Sequence, residues 1–240
     1  MKAVVINGSP KGNKGNTALI LTPFIEGMEE AGAEVQVFYP AEMNIKPCRG
    51  EYNCWFKTPG KCFQDDDMRD FLPVLMETEI LILATPLYVD GMTGPMKNML
   101  DRMIPIAEPI IELRDGHCRH PGRAKAKKGK LVLVSNCGFW EMDNFDALLA
   151  HVRAIGKNIN AEFAGALLRP HGPVLKGMMD QGMDMSDIFK AAKDAGRQLV
   201  KGGNISPDTL KTISRDLLPK EQYLTIVNQF IKNALSQKES

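Results

Sequence analysis

The sequence predicts an α/β protein: a doubly wound sheet of five parallel strands in the order 2-1-3-4-5, with a helical C-terminal extension. Three observations carry this. Short apolar, β-branched runs alternate with stretches of helical length as far as residue 168. The runs are apolar almost without a break, as in Ile80-Leu81-Ile82-Leu83-Ala84, which suits strands covered on both faces. The first run leads directly into a loop of glycines and hydroxyls, the place where an open α/β sheet commonly binds phosphate.

Strands are expected at 2–6, 34–39, 79–84 and 130–135, with a weaker fifth at 162–168. Helices are expected at 16–31, 66–77, 95–106 and 144–157. From residue 186 onward the chain reads as helix, with Ser186 as N-cap and an amphipathic region over 207–236. The apolar residues Ile226, Val227, Phe230, Ile231 and Leu235 form a stripe too greasy to leave wet. Residues 1–185 therefore read as one domain carrying an insertion at 44–64, and 186–240 as an extension that packs on it or on a neighbouring subunit. A homodimer or homotetramer is expected. A second insertion, 112–130, is basic and rich in Gly and Pro.

Composition narrows the function. Of 240 residues, 44% are hydrophobic and 25% charged, ordinary for a globular protein with a real core. Thirty Lys plus Arg face 29 Asp plus Glu, so no global charge points to nucleic acid or a membrane surface. No window approaches a membrane span, and the opening apolar run is too short for a signal peptide, which makes the cytoplasm the expected location. Five cysteines in such a chain suggest metal or redox chemistry more than a disulfide scaffold.

The first strand feeds Asn7-Gly8-Ser9-Pro10-Lys11-Gly12-Asn13-Lys14-Gly15-Asn16-Thr17 and then a helix. Glycine lets the backbone approach a ligand closely, Ser9, Asn16 and Thr17 supply short donors, and Lys11 or Lys14 adds positive charge. The spacing matches neither the Walker A loop nor the G-x-G-x-x-G dinucleotide loop. The third strand ends in Thr85-Pro86-Leu87-Tyr88-Val89-Asp90-Gly91-Met92-Thr93-Gly94-Pro95-Met96-Lys97. In a 2-1-3-4-5 sheet these two loops face one crevice at the topological switch point. Phosphate at one end and a flat polar ring beside Tyr88 at the other describe flavin mononucleotide (FMN).

The segments Gly8-Ser9-Pro10, Gly15-Asn16-Thr17 and 85–97 resemble those of the flavodoxin-like NAD(P)H-dependent FMN reductases and, more narrowly, the iron–sulfur flavoproteins. By this resemblance Ser9, Lys11, Asn16 and Thr17 hold the FMN phosphate, and Thr85, Pro86, Leu87, Tyr88, Gly91 and Met92 line the ring. It implies NAD(P)H as cosubstrate and a small acceptor such as a quinone or a flavin. Two alternatives stand beside it: electron transfer from an iron–sulfur flavoprotein to a protein partner, and a non-enzymatic electron carrier. No Ser-His-Asp or paired-carboxylate arrangement emerges, so no catalytic side chain is predicted.

Iron–sulfur flavoproteins carry four clustered cysteines; here Cys48, Cys54 and Cys62 match the first, third and fourth, and Glu51 replaces the second. A carboxylate is a harder, poorer ligand for such a cluster, so a cluster with one labile corner, a zinc ion or no metal all remain open. Asp65–Asp67 read as acids favouring a helix N-terminus. His117-Cys118-Arg119-His120 fits no zinc spacing. Arg114, Arg119, Arg123, Lys125, Lys127 and Lys128 read as a solvated face or a landing patch for NADPH phosphates or an acidic partner. Residues 135–140 should border the crevice, with Phe139 or Trp140 over the ring and Cys137 a buried filler.

Overall fold

The computed structural model describes residues 1–123 and 129–236; Lys125, Lys127 and Lys128 of the basic run lie outside them. The chain opens with β1 (Lys2–Asn7), α1 (Asn16–Glu30) and β2 (Glu34–Phe38), then runs through the cysteine insertion with its short α2 (Asn53–Phe56). Next come α3 (Met68–Met76), β3 (Ile80–Pro86) and α4 (Gly94–Asp101). The second insertion forms a small antiparallel hairpin, β4 (Glu112–Arg114) with β5 (His117–Arg119). The sheet resumes with β6 (Lys130–Asn136), α5 (Asp146–Asn158) and β7 (Glu162–Arg169). Four helices follow: α6 (Gly172–Asp180), α7 (Ser186–Gly202), α8 (Pro207–Ser214) and α9 (Lys220–Ser236).

The five long strands pair in the order β2-β1-β3-β6-β7, all parallel. With the hairpin set aside this is the expected 2-1-3-4-5. The sheet is covered on both faces. Val5, Ile82, Val132 and Leu167 point to α1, α6 and α7, whereas Ile6, Leu83, Leu133 and Leu168 point to α3, α4 and α5.

Local chemistry explains the departures from the sequence reading. The helix expected over 95–106 stops at Asp101 and resumes as a 3₁₀ turn, Ile104–Ile106, because Pro105 lacks an N–H and disfavours helical backbone before it. Ser186 is the first helical residue, not the N-cap: the Asp184 side chain accepts from its amide at 2.8 Å. The extension is part of the core on one face. Ile188, Ala192, Ala195 and Leu199 of α7 are buried, and α7 crosses α1 at two glycines. A Cβ on Gly27 would sit 1.9 Å from the Lys193 carbonyl oxygen, and one on Gly196 would sit 2.1 Å from that of Phe24. No described helix is long and apolar enough to cross a membrane.

Candidate functional site

The site lies at the carboxyl ends of β1, β3 and β6. Gly8 leaves β1 with its amide bound to the Ala84 carbonyl at 2.8 Å, so the first loop is tied to β3 from the start. Asn7 Oδ1 accepts from the Ser9 amide at 3.1 Å, and buried Ser9 Oγ accepts from the Lys11 amide at 3.3 Å. Gly12, at φ +52°, turns the chain into a single 3₁₀ turn before α1 begins. No side chain caps α1, and among the described residues the Asn16 and Thr17 amides have no protein acceptor. Lys11 and Lys14 are exposed beside this end. Open amides, the positive end of the helix and two cations make a fitting seat for a phosphate.

The four predicted phosphate residues are thus brought together, in different roles. Asn16 is half-buried and Lys11 exposed, but Thr17 is buried and its hydroxyl donates inward to Asn136 Oδ1 at 2.6 Å. Its amide, not its hydroxyl, is the group left open.

The loop after β3 is pinned to the first. Thr93 Oγ1 donates to the Gly8 carbonyl at 2.7 Å, and a Cβ on Gly8 would lie 2.7 Å from Met96 Cβ. Thr85 is fully buried; its hydroxyl donates to the Pro86 carbonyl at 2.9 Å and accepts from the Thr93 amide at 3.2 Å. Met92 is buried in the core below. These two fasten the wall from behind. Tyr88 is exposed, whereas Pro86, Leu87 and Gly91 are half-buried, Leu87 partly against the core. Tyr88 and Gly91 exchange two backbone hydrogen bonds, at 3.0 and 3.1 Å, around Val89 (φ 48°) and Asp90 (φ 58°). Such positive dihedrals suit a tight reversal but are costly for a β-branched residue.

A third wall comes from residues 137–140, where Phe139 is exposed and Trp140 half-buried. Groups that the sequence did not point to hold this segment. The His171 amide donates to the Phe139 carbonyl at 2.9 Å, and Tyr223 Oη donates to the Gly138 carbonyl. Trp140 Nε1 donates to the Leu218 carbonyl at 3.2 Å. Burial, with the nearby Arg169 charge, pushes His171 down to about 4, so its ring is neutral. Its Nε2 lies 3.2 Å from the Trp140 carbonyl. Fully buried Arg169 donates to the carbonyls of Ile213 and Arg215, each at 2.6 Å, capping the C-terminus of α8 with positive charge. The one sequence signal for this cluster was Arg169-Pro170-His171 at the end of an apolar strand. Cys137 is buried, as expected, and burial pushes its thiol up.

Cys48, Cys54 and Cys62 line one small cavity with Glu51 and Arg102, of about 20 Å³. Arg102 is buried, donates to Cys62 Sγ at 3.3 Å, and pairs with buried Asp66 at 2.5 and 3.0 Å. Among the described residues no three metal-ligating side chains stand close enough to hold an ion. Room for little more than a water, a carboxylate at one corner and a guanidinium at another do not fit a four-iron cluster. Asp66 has a second task beyond the helix start: its Oδ1 accepts from the Met68 amide at 3.2 Å while both oxygens hold Arg102.

Comparison with known proteins agrees with the fold. An iron–sulfur flavoprotein of Archaeoglobus fulgidus is 35% identical over 102 residues, which is 42% of this chain and 48% of that protein. The chain spans about half the length of the curated relatives it matches. An FMN-dependent NADH-azoreductase of Bacillus anthracis, solved in complex with FMN, has the same fold, with a TM-score of 0.61 at 14% identity over 84% of this chain and 100% of that one. An NAD(P)H:quinone oxidoreductase of Methanothermobacter marburgensis gives a TM-score of 0.56 at 16% identity over 83% and 96%. The family model for NADPH-dependent FMN reductase matches residues 1–142, the part that carries the loops after β1 and β3, and the chain belongs to that family.

Proposed function

We propose that the chain is an NAD(P)H-dependent oxidoreductase that seats FMN in this crevice and delivers reducing equivalents to a small acceptor, a quinone or a flavin. One observation carries the reading: an uncapped helix N-terminus with free amides is locked, through Gly8, Ala84 and Thr93, to a surface loop bearing Tyr88. A phosphate and a flat ring are thereby held at a fixed separation.

The Asn16 and Thr17 amides, with Lys11 and Lys14, hold the phosphate. Leu87, Tyr88 and Gly91 flank the ring, while Thr85, Met92 and Asn136 keep these loops from moving. Bound FMN supplies the redox chemistry, accepting a hydride and releasing one or two electrons. The chain offers an open rim at which a second flat ring can stack, since Tyr88 and Phe139 are both exposed there. Its five cysteines are free thiols, in keeping with work in the reducing cytoplasm.

Anaerobic rapid mixing of FMN-loaded protein with NADH or NADPH tests the reading. Bleaching of the flavin by at least one, followed by recovery on adding a quinone, is the expected result. A flavin that neither nucleotide reduces would point to a carrier. Stoichiometric iron and acid-labile sulfide in the purified protein would overturn the cluster-free account of Cys48, Cys54 and Cys62.

A further inference from the structure

We propose that Cys62 is a site of reversible oxidation by hydrogen peroxide, with Cys54 as the thiol that closes the disulfide. The proposal rests on the cluster-free account of these cysteines and takes nothing from the flavin reading.

The fold brings the two thiols to one place. Cys54 sits in α2, and Gly60, at φ +81°, reverses the backbone so that its amide donates to the Cys54 carbonyl at 3.0 Å. Thr58 Oγ1 donates to the Lys61 carbonyl at 2.8 Å and fixes the returning segment. Cys62 thereby arrives on the same small cavity as Cys54. The cavity walls are tied down as well. Trp55 Nε1 donates to the Ile104 carbonyl at 3.2 Å, and Gln64 Nε2 donates to that of Pro47 at 3.0 Å.

The five thiols are not equivalent. Cys48 and Cys118 are exposed, Cys54 and Cys137 are buried, and Cys62 lies between these extremes. Cys137 Sγ donates to the Phe139 carbonyl, whereas Cys62 Sγ accepts from the Arg102 guanidinium at 3.3 Å. Among the described residues, Cys62 is the one cysteine whose sulfur accepts from a charged donor. A buried cation donating to sulfur favours negative charge there, in the form that attacks an oxidant. Arg102 is held in this pose by Asp66 and by the Lys46 carbonyl.

Room and charge select the oxidant. About 20 Å³ takes one water-sized group, enough for a single added oxygen atom and too little for a bulky organic peroxide. Exposed Glu51 lines the same cavity and repels anionic oxidants, which leaves a small neutral peroxide. Gln64 is only 9% exposed, and its Oε1 has no hydrogen-bond partner among the described residues. That oxygen is free to accept the proton of an S–O–H group.

In the first step the Cys62 sulfur attacks one peroxide oxygen. The S–O bond forms, the O–O bond breaks, and the departing hydroxide leaves as water with the thiol's proton. Sulfur is oxidised to sulfenic acid and the peroxide is reduced. The Cys54 sulfur then attacks the Cys62 sulfur. The S–O bond breaks, the S–S bond forms, and a second water leaves with the Cys54 proton. A dithiol reductant reverses the result by exchange.

The test exposes the purified protein, without NAD(P)H, to hydrogen peroxide and the sulfenic-acid trap dimedone, then maps every cysteine by mass spectrometry. Wild type should form the Cys54–Cys62 disulfide at least about tenfold faster than exposed Cys118 is oxidised, and dithiothreitol should restore both thiols. Cys54→Ser, checked for folding by its unfolding midpoint, should instead carry the dimedone adduct on Cys62. Cumene hydroperoxide should react at least about tenfold more slowly than hydrogen peroxide. Cys62 oxidised no faster than Cys118 in wild type, or Cys54→Ser without an adduct on Cys62, overturns the site. A wild-type bond from Cys62 to Cys48 overturns the role of Cys54, and equal rates with the two peroxides overturn the selection by size. Stoichiometric iron, assayed before peroxide is added, would show separately that the cluster-free account has failed. Failure of the flavin reading would leave every one of these outcomes unchanged.

Discussion

Asp66 shows how much rests on single side chains that local pattern does not reveal. In sequence it sits in an acidic run before a helix, and the helix-terminus reading accounts for one of its bonds. Its main partner, Arg102, is 36 positions away and equally buried. Periodicity reports only neighbours along the chain, so a long-range buried ion pair leaves no trace in it. Burial works to raise the Asp66 carboxyl, but hydrogen bonds from Arg102 and the Lys46 amide outweigh it and hold the group below the ordinary aspartate value. A carboxylate lowered in the folded state stabilises fully above its unfolded value, near pH 4, and loses that contribution as pH falls through the folded value. Asp66→Asn should cost about 3–5 kcal/mol at neutral pH, because Arg102 is left as an uncompensated buried charge. Urea midpoints read the loss, and the variant should lack the wild-type decline that this carboxylate contributes at acid pH. A variant as stable as wild type would show that the pair does not bind the insertion to α4.

At the level of elements, the five strands were legible because parallel strands buried on both faces leave unbroken apolar runs. The short β4 and β5 escaped notice: Glu112-Leu113-Arg114 is three residues long and mostly polar. The helix α6 escaped for another reason. Gly172, Pro173 and Gly177 depress helix propensity, and burial of Leu175 and Gly172 against the core overrides it. The loops after β1 and β3 were legible from their glycines, but the reason Gly8 must be glycine was not. Its absent Cβ leaves room for Met96 and for Thr93 Oγ1, which would stand 2.7 and 2.9 Å from it. Gly8→Ala must push the loops apart, costing about 1–3 kcal/mol of stability. It should also weaken FMN binding by about tenfold, since orientation tolerates little displacement. Fluorescence titration of the folded variant checks this; unchanged affinity would mean that the loops do not act as one unit.

Over the whole molecule, the alternation of strands and helices specified the topology, and loop position at the switch point pointed to the candidate site. The role of the C-terminal third was much less legible. Amphipathic helices can be recognised one at a time, but which face of the sheet they cover depends on contacts such as Gly27 with Gly196, and on Arg169 reaching across to α8. That third of the chain holds residues 137–140 against the crevice, so it bears on the site although no predicted ligand residue lies in it. The central claim is that the crevice grips a flavin by its phosphate, and titrating the apoprotein with FMN and with riboflavin tests it most directly. The account predicts one FMN per chain and at least about a hundredfold weaker riboflavin, because the open amides of α1 and the lysines beside them then have no anion to hold. Equal affinity for the two, or no binding of FMN, would contradict it.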